Sequence, residues 1–106
     1  MIQGTIIRGT TPTHEFELPY PLDLIEDIRI IYGQNKKALF SKSSDQCEIT
    51  EGKAAVTLMQ EETFLFSPNK KLEIELWVKM KDGKVARTEE PILLRVIDSM
   101  SDGVMD

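Results

Sequence analysis

The chain has 106 residues, of which 41% are hydrophobic and 29% are charged. These values fit one folded domain and argue against wholesale disorder. Its net charge is −5 and its basic residues are dispersed, so we expect neither nucleic-acid binding nor attachment to anionic membranes. The single cysteine, Cys47, cannot form an intramolecular disulfide, which fits synthesis in a reducing cytosol. The first residues, MIQGTIIRG, lack the pattern of a secretory signal, and no apolar run is long enough for a membrane span.

Alternating apolar and polar residues predict short strands in the first half of the chain. The expected strands are residues 4–8 (GTIIR), 13–18 (THEFEL), 27–34 (DIRIIYGQ) and 37–42 (KALFSK). Pro19 and Pro21 interrupt the pattern, and residues 22–26 are expected to form one helical turn. Residues 33–36 are predicted to form a hairpin turn. The apolar positions expected to face a core are Phe16, Leu18, Ile28, Ile30 and Tyr32.

The second half of the chain continues the same pattern. Further strands are predicted at residues 47–50 (CEIT), 53–59 (KAAVTLM) and 71–81 (KLEIELWVKMK). The segment QEET, residues 60–63, does not alternate and is expected to form a turn or a short helical crossover. The clearest strand is that of residues 71–81, whose even-numbered residues form one apolar face: Leu72, Ile74, Leu76, Val78 and Met80.

The strongest turn signal is Lys81-Asp82-Gly83, which predicts a three-residue hairpin loop with Gly83 in the left-handed conformation. Pairing Met80 with Lys84 then directs the apolar residues of a last strand to the core face. Those residues are Ile92, Leu94 and Val96. The same register would turn Glu90 into the core, so we expect a bulge or a strand break near residues 89–91.

These elements predict an all-β fold, an antiparallel immunoglobulin-like β-sandwich of about seven to eight short strands with at most single helical turns. Residues 1–97 are expected to form a single domain, and residues 98–106 a flexible acidic C-terminal tail. The paired cysteines of a true immunoglobulin domain are absent, and the single tryptophan lies late in the chain.

Few residues offer chemistry. His14 is the only histidine, which leaves little room for a histidine-based metal site or triad, and we expect it near the surface at a strand start. Cys47 is expected to be a small, partly buried residue. The carboxylate groups expected to be solvated are Glu61 and Glu62, Glu89 and Glu90, and Asp98 with Asp102 and Asp106. The tail lacks the spacing of a calcium loop. We therefore predict no catalytic, cofactor-binding or metal site, and a protein that is not an enzyme.

Trp77 is the side chain that points most clearly to an interaction. It lies on the polar face of the strongest strand, where a large aromatic residue is suited to anchoring a partner. The alternative is that the N-terminal segment or the tail of the same chain covers it. Lys79 on the same face and Leu93, predicted to be exposed, complete a candidate partner-contact set: Trp77, Lys79 and Leu93.

Three motifs carry a family resemblance. The first is RGTTPTH (Arg8–His14), followed by Phe16, Leu18 and Pro19, and the second is IYGQ (Ile31–Gln34). The third joins Leu58, QEET (Gln60–Thr63) and Phe66. In these motifs the chain resembles small proteins from the tail-gene clusters of phages and prophages of Gram-positive bacteria, from about Ile7 to Val96. It is more loosely similar to the N-terminal β-sandwich domain of phage baseplate upper proteins.

The resemblance implies a non-enzymatic structural or adaptor role in a tail or baseplate, exerted through protein–protein contacts. The motifs are structural in kind, with Glu61 and Thr63 suited to capping a turn. The implied partners are other phage tail or baseplate proteins, and a homo-oligomer is plausible. Synthesis would take place in the cytoplasm of the host bacterium, followed by assembly into the virion tail. The alternative function is a carbohydrate- or receptor-binding β-sandwich module, with Trp77 as a platform alongside Tyr20 or Tyr32.

Overall fold

The computed structural model describes residues 2–100 and 103–105, and most of the regular structure in this part of the chain is β. The strands are β1 (Ile2–Ile7), β2 (Thr13–Glu17), β3 (Ile25–Gln34), β4 (Lys37–Ser43), β5 (Glu48–Thr50), β6 (Lys53–Thr57), β7 (Leu72–Met80), β8 (Val85–Arg87) and β9 (Ile92–Ile97). A one-turn helix, α1 (Gln60–Thr63), and two 3-10 turns at Leu22–Leu24 and Ser44–Gln46 complete the described elements. The all-β prediction with single helical turns is confirmed, and the described strands number nine rather than seven or eight.

The strands form two sheets whose inner faces share one core. The larger sheet has the order β1-β9-β7-β3-β4, with β8 also paired to β7, and the smaller sheet has the order β2-β6-β5. All pairings are antiparallel except that of β1 with β9, which is parallel. The prediction of a fully antiparallel fold is therefore wrong at this edge. The chain leaves β1 for the smaller sheet, so no hairpin fixes the direction in which β1 runs.

The core is built from the apolar faces that the alternation predicts. Every one of the following is buried: Phe16, Leu18, Ile28, Ile30, Tyr32, Ala54, Val56, Leu58, Leu72, Ile74, Leu76, Val78, Leu94 and Val96. Ile6 and Phe66 join them, whereas Met80 and Ile92, predicted on the same faces, are only partly buried against this core. Each strand contributes alternate residues because successive side chains point to opposite faces of a sheet. The alternation therefore predicts the faces of the strands as well as their positions.

Two hairpin turns give the larger sheet its register. Asn35 and Lys36 have φ of 55° and 62°, as a two-residue turn between right-twisted strands requires. Gly83 has φ of 93°, and the amide of Met80 donates to the carbonyl of Lys84 over 2.8 Å. The predicted three-residue loop with a left-handed Gly83 is confirmed.

The predicted strand break lies between β8 and β9. In the hairpin register Lys79 pairs with Val85, whereas beyond the break Ile74 pairs with Ile92. The hairpin register would have placed Glu90 opposite Ile74, so the pairing shifts by two residues. A shift of two keeps the apolar side chains of β9 on the core face and leaves Glu90 exposed.

A stack of aromatic rings lies between the sheets. Tyr32 is fully buried, and its ring centroid lies 5.1 Å from that of Phe40 and 6.3 Å from that of Phe66. On the smaller sheet the His14 ring stacks on Tyr32 at 5.9 Å, and His14 Nδ1 lies 2.9 Å from the Tyr32 hydroxyl. His14 therefore starts β2 as expected, but it lies partly buried toward the core rather than near the surface, and its burial lowers the pKa of the imidazole below 6.5.

We expect the free energy of unfolding to fall as the pH is lowered from about 7.5 to about 5, in part through His14. The folded state holds the imidazole neutral, so its contribution is complete above the unfolded pKa near 6.5 and is lost as the pH falls toward the lowered folded value. Urea titrations over this range measure the effect. His14→Gln keeps an acceptor for Tyr32 and removes the titration, so its profile should be flatter. Identical slopes in the two proteins would contradict the assignment.

Candidate functional site

The three predicted partner-contact residues share the outer face of the larger sheet, away from the core. Lys79 is exposed, whereas Trp77 and Leu93 are half-buried. Leu93 pairs with Glu73, four residues from Trp77 along β7 and therefore about 13 Å away at the spacing of a strand. The structure thus brings Trp77 and Lys79 together and leaves Leu93 outside their groove, and Leu93 is less exposed than expected.

Neighbouring side chains of the same sheet cover part of Trp77. Its indole Nε1 donates to Glu75 Oε1 over 3.1 Å, and the guanidinium of Arg87 lies 5.7 Å from the ring centroid. Arg87 also pairs with Glu75 at 3.0 Å, which holds both groups against the ring. This cover comes from β7 and β8, rather than from the N-terminal segment or the tail that self-coverage was expected to use.

A shallow groove of about 380 Å³ lies beside Trp77 on the outer face. Ile31 and Val85 give it apolar walls, Arg29 and Lys79 bring positive charge to it, and Asp27 adds a carboxylate to its lining. Lys79 pairs with Glu26 at 3.4 Å, whereas Arg29 makes no ion pair with any described residue. An apolar groove with a guanidinium that forms no ion pair suits a partner that presents an acidic group next to apolar side chains.

The tyrosines do not extend Trp77 into an aromatic platform. Tyr32 is buried in the core, and Tyr20 lines a separate small cavity with the core-facing residues Leu76 and Val78. Tyr20 therefore lines a different cavity from Trp77. Within residues 2–100 and 103–105, no second aromatic side chain lines the Trp77 groove.

The RGTTPTH and QEET motifs meet each other in the structure. Thr63 of α1 is fully buried, and its hydroxyl accepts from the amide of Gly9 and donates to the carbonyl of Thr10, each over 2.9 Å. Glu62, rather than the expected Glu61, caps α1, because its carboxylate accepts from the amide of Met59 over 2.8 Å. The Thr63 hydroxyl also lies 3.3 Å from the carbonyl of Gln60 in its own turn, so the expected local hydrogen bond is present beside a long-range contact that sequence spacing alone could not reveal.

Arg8 extends the same junction to the end of β9. Its guanidinium binds Asp98 at 2.6 Å and donates to the carbonyl of Phe64 over 3.1 Å, and it lies 5.6 Å from the centroid of the Phe64 ring. The hydrogen bond from Arg8 lowers the pKa of Asp98. The prediction that this carboxylate is only solvated is therefore wrong, because Arg8 binds it at the end of β9. Asp102 and Asp106, which were grouped with it, lie outside the described residues.

The IYGQ motif is also structural. The side-chain amide of Gln34 is buried, donates to the carbonyls of Ser67 and Lys70, and accepts from the amide of Ser67 over 2.7 Å. Gln34 therefore fastens the turn that leads into β7. All of its bonds go to backbone groups, so it satisfies polar atoms that would otherwise be buried without partners.

The residues considered for catalysis are not brought together. The thiol of Cys47 lies 3.3 Å from the carbonyl of Ser43, and burial raises its pKa, which is the reverse of nucleophile activation. His14 is engaged with Tyr32. Glu61, Glu89 and Glu90 are exposed, as expected. Among the described residues, no three histidine, cysteine or carboxylate side chains are grouped closely enough to hold a metal ion.

Sequence analysis missed a buried charge next to α1. Lys42 points inward from β4, its side chain is only 8% exposed, and its ammonium lies 2.6 Å from Glu62. The one feature of the sequence that indicates the burial of Lys42 is its position, because it lies two residues after Phe40 in β4 and therefore on the same face. The sequence analysis placed Lys42 at the end of the predicted strand of residues 37–42 and so did not assign it to the core.

No helix in residues 2–100 and 103–105 has the length and apolar character to cross a lipid bilayer. Comparisons of the chain with protein-family models, curated proteins and solved structures found no match.

Gly9→Ala is expected to cost more stability than the matched control Gly52→Ala. Both glycines have left-handed φ, of 81° and 84°, so both substitutions carry about 1 kcal/mol of backbone strain. A Cβ at Gly9 would lie 2.4 Å from the Phe64 ring, whereas a Cβ at Gly52 meets nothing within 4 Å. We expect an additional loss of roughly 1–3 kcal/mol for Gly9→Ala in urea unfolding. Equal losses would show that the Phe64 ring yields freely.

Glu62→Gln is expected to destabilise the fold by about 2 kcal/mol, because it leaves the Lys42 ammonium buried without a counter-charge. The double variant Lys42→Met/Glu62→Gln should recover most of that loss, since an apolar side chain suits the site. Glu15→Gln breaks the exposed pair with Lys53 and should change stability by less than about 0.5 kcal/mol. Denaturant midpoints of the four proteins test this, and a double variant no more stable than Glu62→Gln would contradict it.

Proposed function

We propose that the chain is a non-enzymatic structural or adaptor subunit of a phage or prophage tail, acting at the baseplate through protein–protein contacts. Its fold would be the immunoglobulin-like β-sandwich of the N-terminal domain of baseplate upper proteins. Two sheets over a shared core support this assignment, with the parallel β1 as a departure from an all-antiparallel arrangement.

The observation that carries the proposal is the position of the motif residues. Gly9 donates to Thr63 and Arg8 donates to the carbonyl of Phe64, so the loop after β1 is bound to the segment around α1. Gln34 binds the turn before β7. The residues that resemble the phage family thus hold the fold in place, rather than lining a cleft. Such a pattern is typical of a family whose shared property is a scaffold, with binding surfaces that differ between members.

The Trp77 groove is the proposed contact surface for a tail partner. It combines a large aromatic side chain, apolar walls and Arg29, which forms no ion pair with a described residue, on the outer face of the sheet. Partly covered tryptophan and arginine side chains are over-represented among residues that dominate binding energy. Carbohydrate binding is the weaker proposal, because sugar sites on sandwiches favour several aligned aromatic side chains and Trp77 has none beside it.

The proposal is tested in the bacterium that carries the gene, by inactivating it and inducing the prophage. We expect particles with incomplete tails in electron micrographs and a loss of infectivity, both restored by a plasmid copy. Mass spectrometry of gradient-purified particles shows whether the chain remains in them. Complete and infectious particles in the absence of the gene would overturn the proposal.

The contact surface is tested in the same cells with Arg29→Glu. Charge reversal in the groove should abolish or reduce complementation at least tenfold, while the matched variant Lys71→Glu, which makes the same charge change at an exposed position before β7, should complement fully. Thermal unfolding of both purified proteins controls for stability. Equal complementation by the two variants would remove the groove from the proposal.

A further inference from the structure

The outer face of the larger sheet carries a second groove that continues the Trp77 groove. The second groove has a volume of about 470 Å³, and Ile31 lines both grooves. The first groove runs past Asp27 and Arg29, and the second reaches Gly33 and the turn between β3 and β4. The joined grooves therefore follow β3 from Asp27 to Gly33, a length of about 20 Å at the rise of a strand.

The width of the first groove is set by the strands on either side of β7. Arg29 of β3 and Arg87 of β8 both pair with Trp77, so the three residues form a row across the outer face. Neighbouring strands are about 4.8 Å apart, which places β3 and β8 about 10 Å from each other. An α-helix with its side chains is about 10–12 Å in diameter, so it is too wide to lie between side chains that stand on these two strands. A single extended chain fits.

Positive groups without an ion pair lie at both ends of the joined grooves. Arg29 lines the first groove, Lys36 and Lys37 line the second, and all three residues are exposed. None of the three forms an ion pair with a described residue. The other two cationic side chains of the grooves are already paired with carboxylates of the same chain.

Three of the four carboxylates that line the grooves are engaged within the chain. Asp27 accepts from a serine hydroxyl and a backbone amide, Glu73 accepts from the amide of Lys36 over 2.8 Å, and Glu75 is bound as described above. Glu89 has no bond to a described residue, but it follows β8 and so lies on the other side of β7 from the β3–β4 turn. The charge that lacks a partner is therefore positive at both ends of β3.

We propose that the joined grooves bind an extended segment of a partner protein with the pattern acidic-x-apolar-x-acidic. Alternate residues of an extended chain point to the same side and are about 6.6 Å apart, which is the spacing of Arg29, Ile31 and Gly33 along β3. One carboxylate then binds Arg29, the apolar side chain lies on Ile31 beside Trp77, and the second carboxylate binds the lysines of the turn beyond Gly33. This inference rests on the proposed function only for the choice of this face as the contact surface.

The occupant is a different protein rather than a second copy of this chain. Residues 98–106, DSMSDGVMD, contain the same pattern, but the structure holds this tail elsewhere. Arg8 binds Asp98, and the amide of Met105 donates to the side chain of Gln60 in α1 over 3.1 Å. Two copies that each carry a net charge of −5 also repel one another. A neutral sugar would leave the cationic groups without partners.

The first test uses the fluorescence of Trp77, which is the single tryptophan of the chain and lines the groove. The probe is the acetylated and amidated peptide GDSLSDG, titrated into the millimolar range because short segments bind weakly. We expect a saturable change in emission. The peptides GKSLSKG, with both charges reversed, and GDSSSDG, without the apolar side chain, should bind at least tenfold more weakly. Equal binding of the three peptides, or no saturation with GDSLSDG, would overturn the proposal.

The second test assigns one carboxylate to Arg29. Arg29→Gln should weaken binding of GDSLSDG roughly tenfold, while Arg95→Gln, which removes the same charge from the same face of β9, should bind as the wild type. Arg29→Glu should bind GKSLSDG more tightly than GDSLSDG, an exchange of preference that a loss of stability would not produce. Thermal unfolding of each variant serves as a control. Equal binding by Arg29→Gln and Arg95→Gln would contradict the assignment.

The third test distinguishes the partner from a second copy. The mass by sedimentation equilibrium should stay at 12.1 kDa over a concentration series. A mass that rises with concentration, and that stops rising when residues 99–106 are removed, would assign the grooves to the tail of a second copy and overturn the proposal.

The peptide measurements and the phage role fail separately. Binding of GDSLSDG by a chain whose gene is dispensable for infectious particles would contradict only the phage role. Absence of peptide binding, combined with a failure of Arg29→Glu to complement, would overturn only the extended segment and leave the groove as a contact for a folded surface.

Discussion

The hydroxyl of Thr63 fixes how the two sheets meet. The chain crosses between the sheets four times, and Thr63 joins two of those crossings, the loop after β1 and the helical turn before β7. The hydroxyl accepts from one backbone group and donates to another, so both of its hydrogen-bonding functions are used inside the protein. A side chain of the same shape without the oxygen would leave the amide of Gly9 and the carbonyl of Thr10 without this partner and would break the link between the two crossings.

Other buried polar groups support the same arrangement. Gln34 binds the backbone of the turn before β7, and Lys42 binds Glu62, which also caps α1. Each of these side chains therefore links a strand of the larger sheet to the segment between β6 and β7. The segment between β6 and β7 contains only the one-turn helix α1, and buried polar side chains hold this segment against the larger sheet.

The sequence predicts most strands and their core faces, because alternation is a local property that one-sided burial imposes on every strand. The Gly83 loop and the break before Pro91 are predictable for the same reason, since turn chemistry and side-chain parity act over a few residues. The parallel pairing of β1 with β9 cannot be predicted in this way, because the two strands are distant in the sequence. The cover of Trp77 by Arg87 and the burial of Lys42 depend equally on which strands become neighbours. Within the candidate site, Trp77 and Lys79 could be found from their shared parity, whereas Arg29 enters only once β3 is known to lie beside β7.

The pairing of β1 with β9 has a consequence for how the protein is made. The side chain of Gln3 accepts a hydrogen bond from the amide of Leu93, a separation of 90 residues. Synthesis proceeds from the N-terminus at about 5–20 residues per second, so the first strand leaves the ribosome several seconds before its partner exists. During that interval both edges of β1 are unpaired, and closing so long a loop is entropically costly. The larger sheet can therefore be completed only after β9 has been translated. Until then, each nascent chain on a polysome exposes its apolar first strand without a pairing partner.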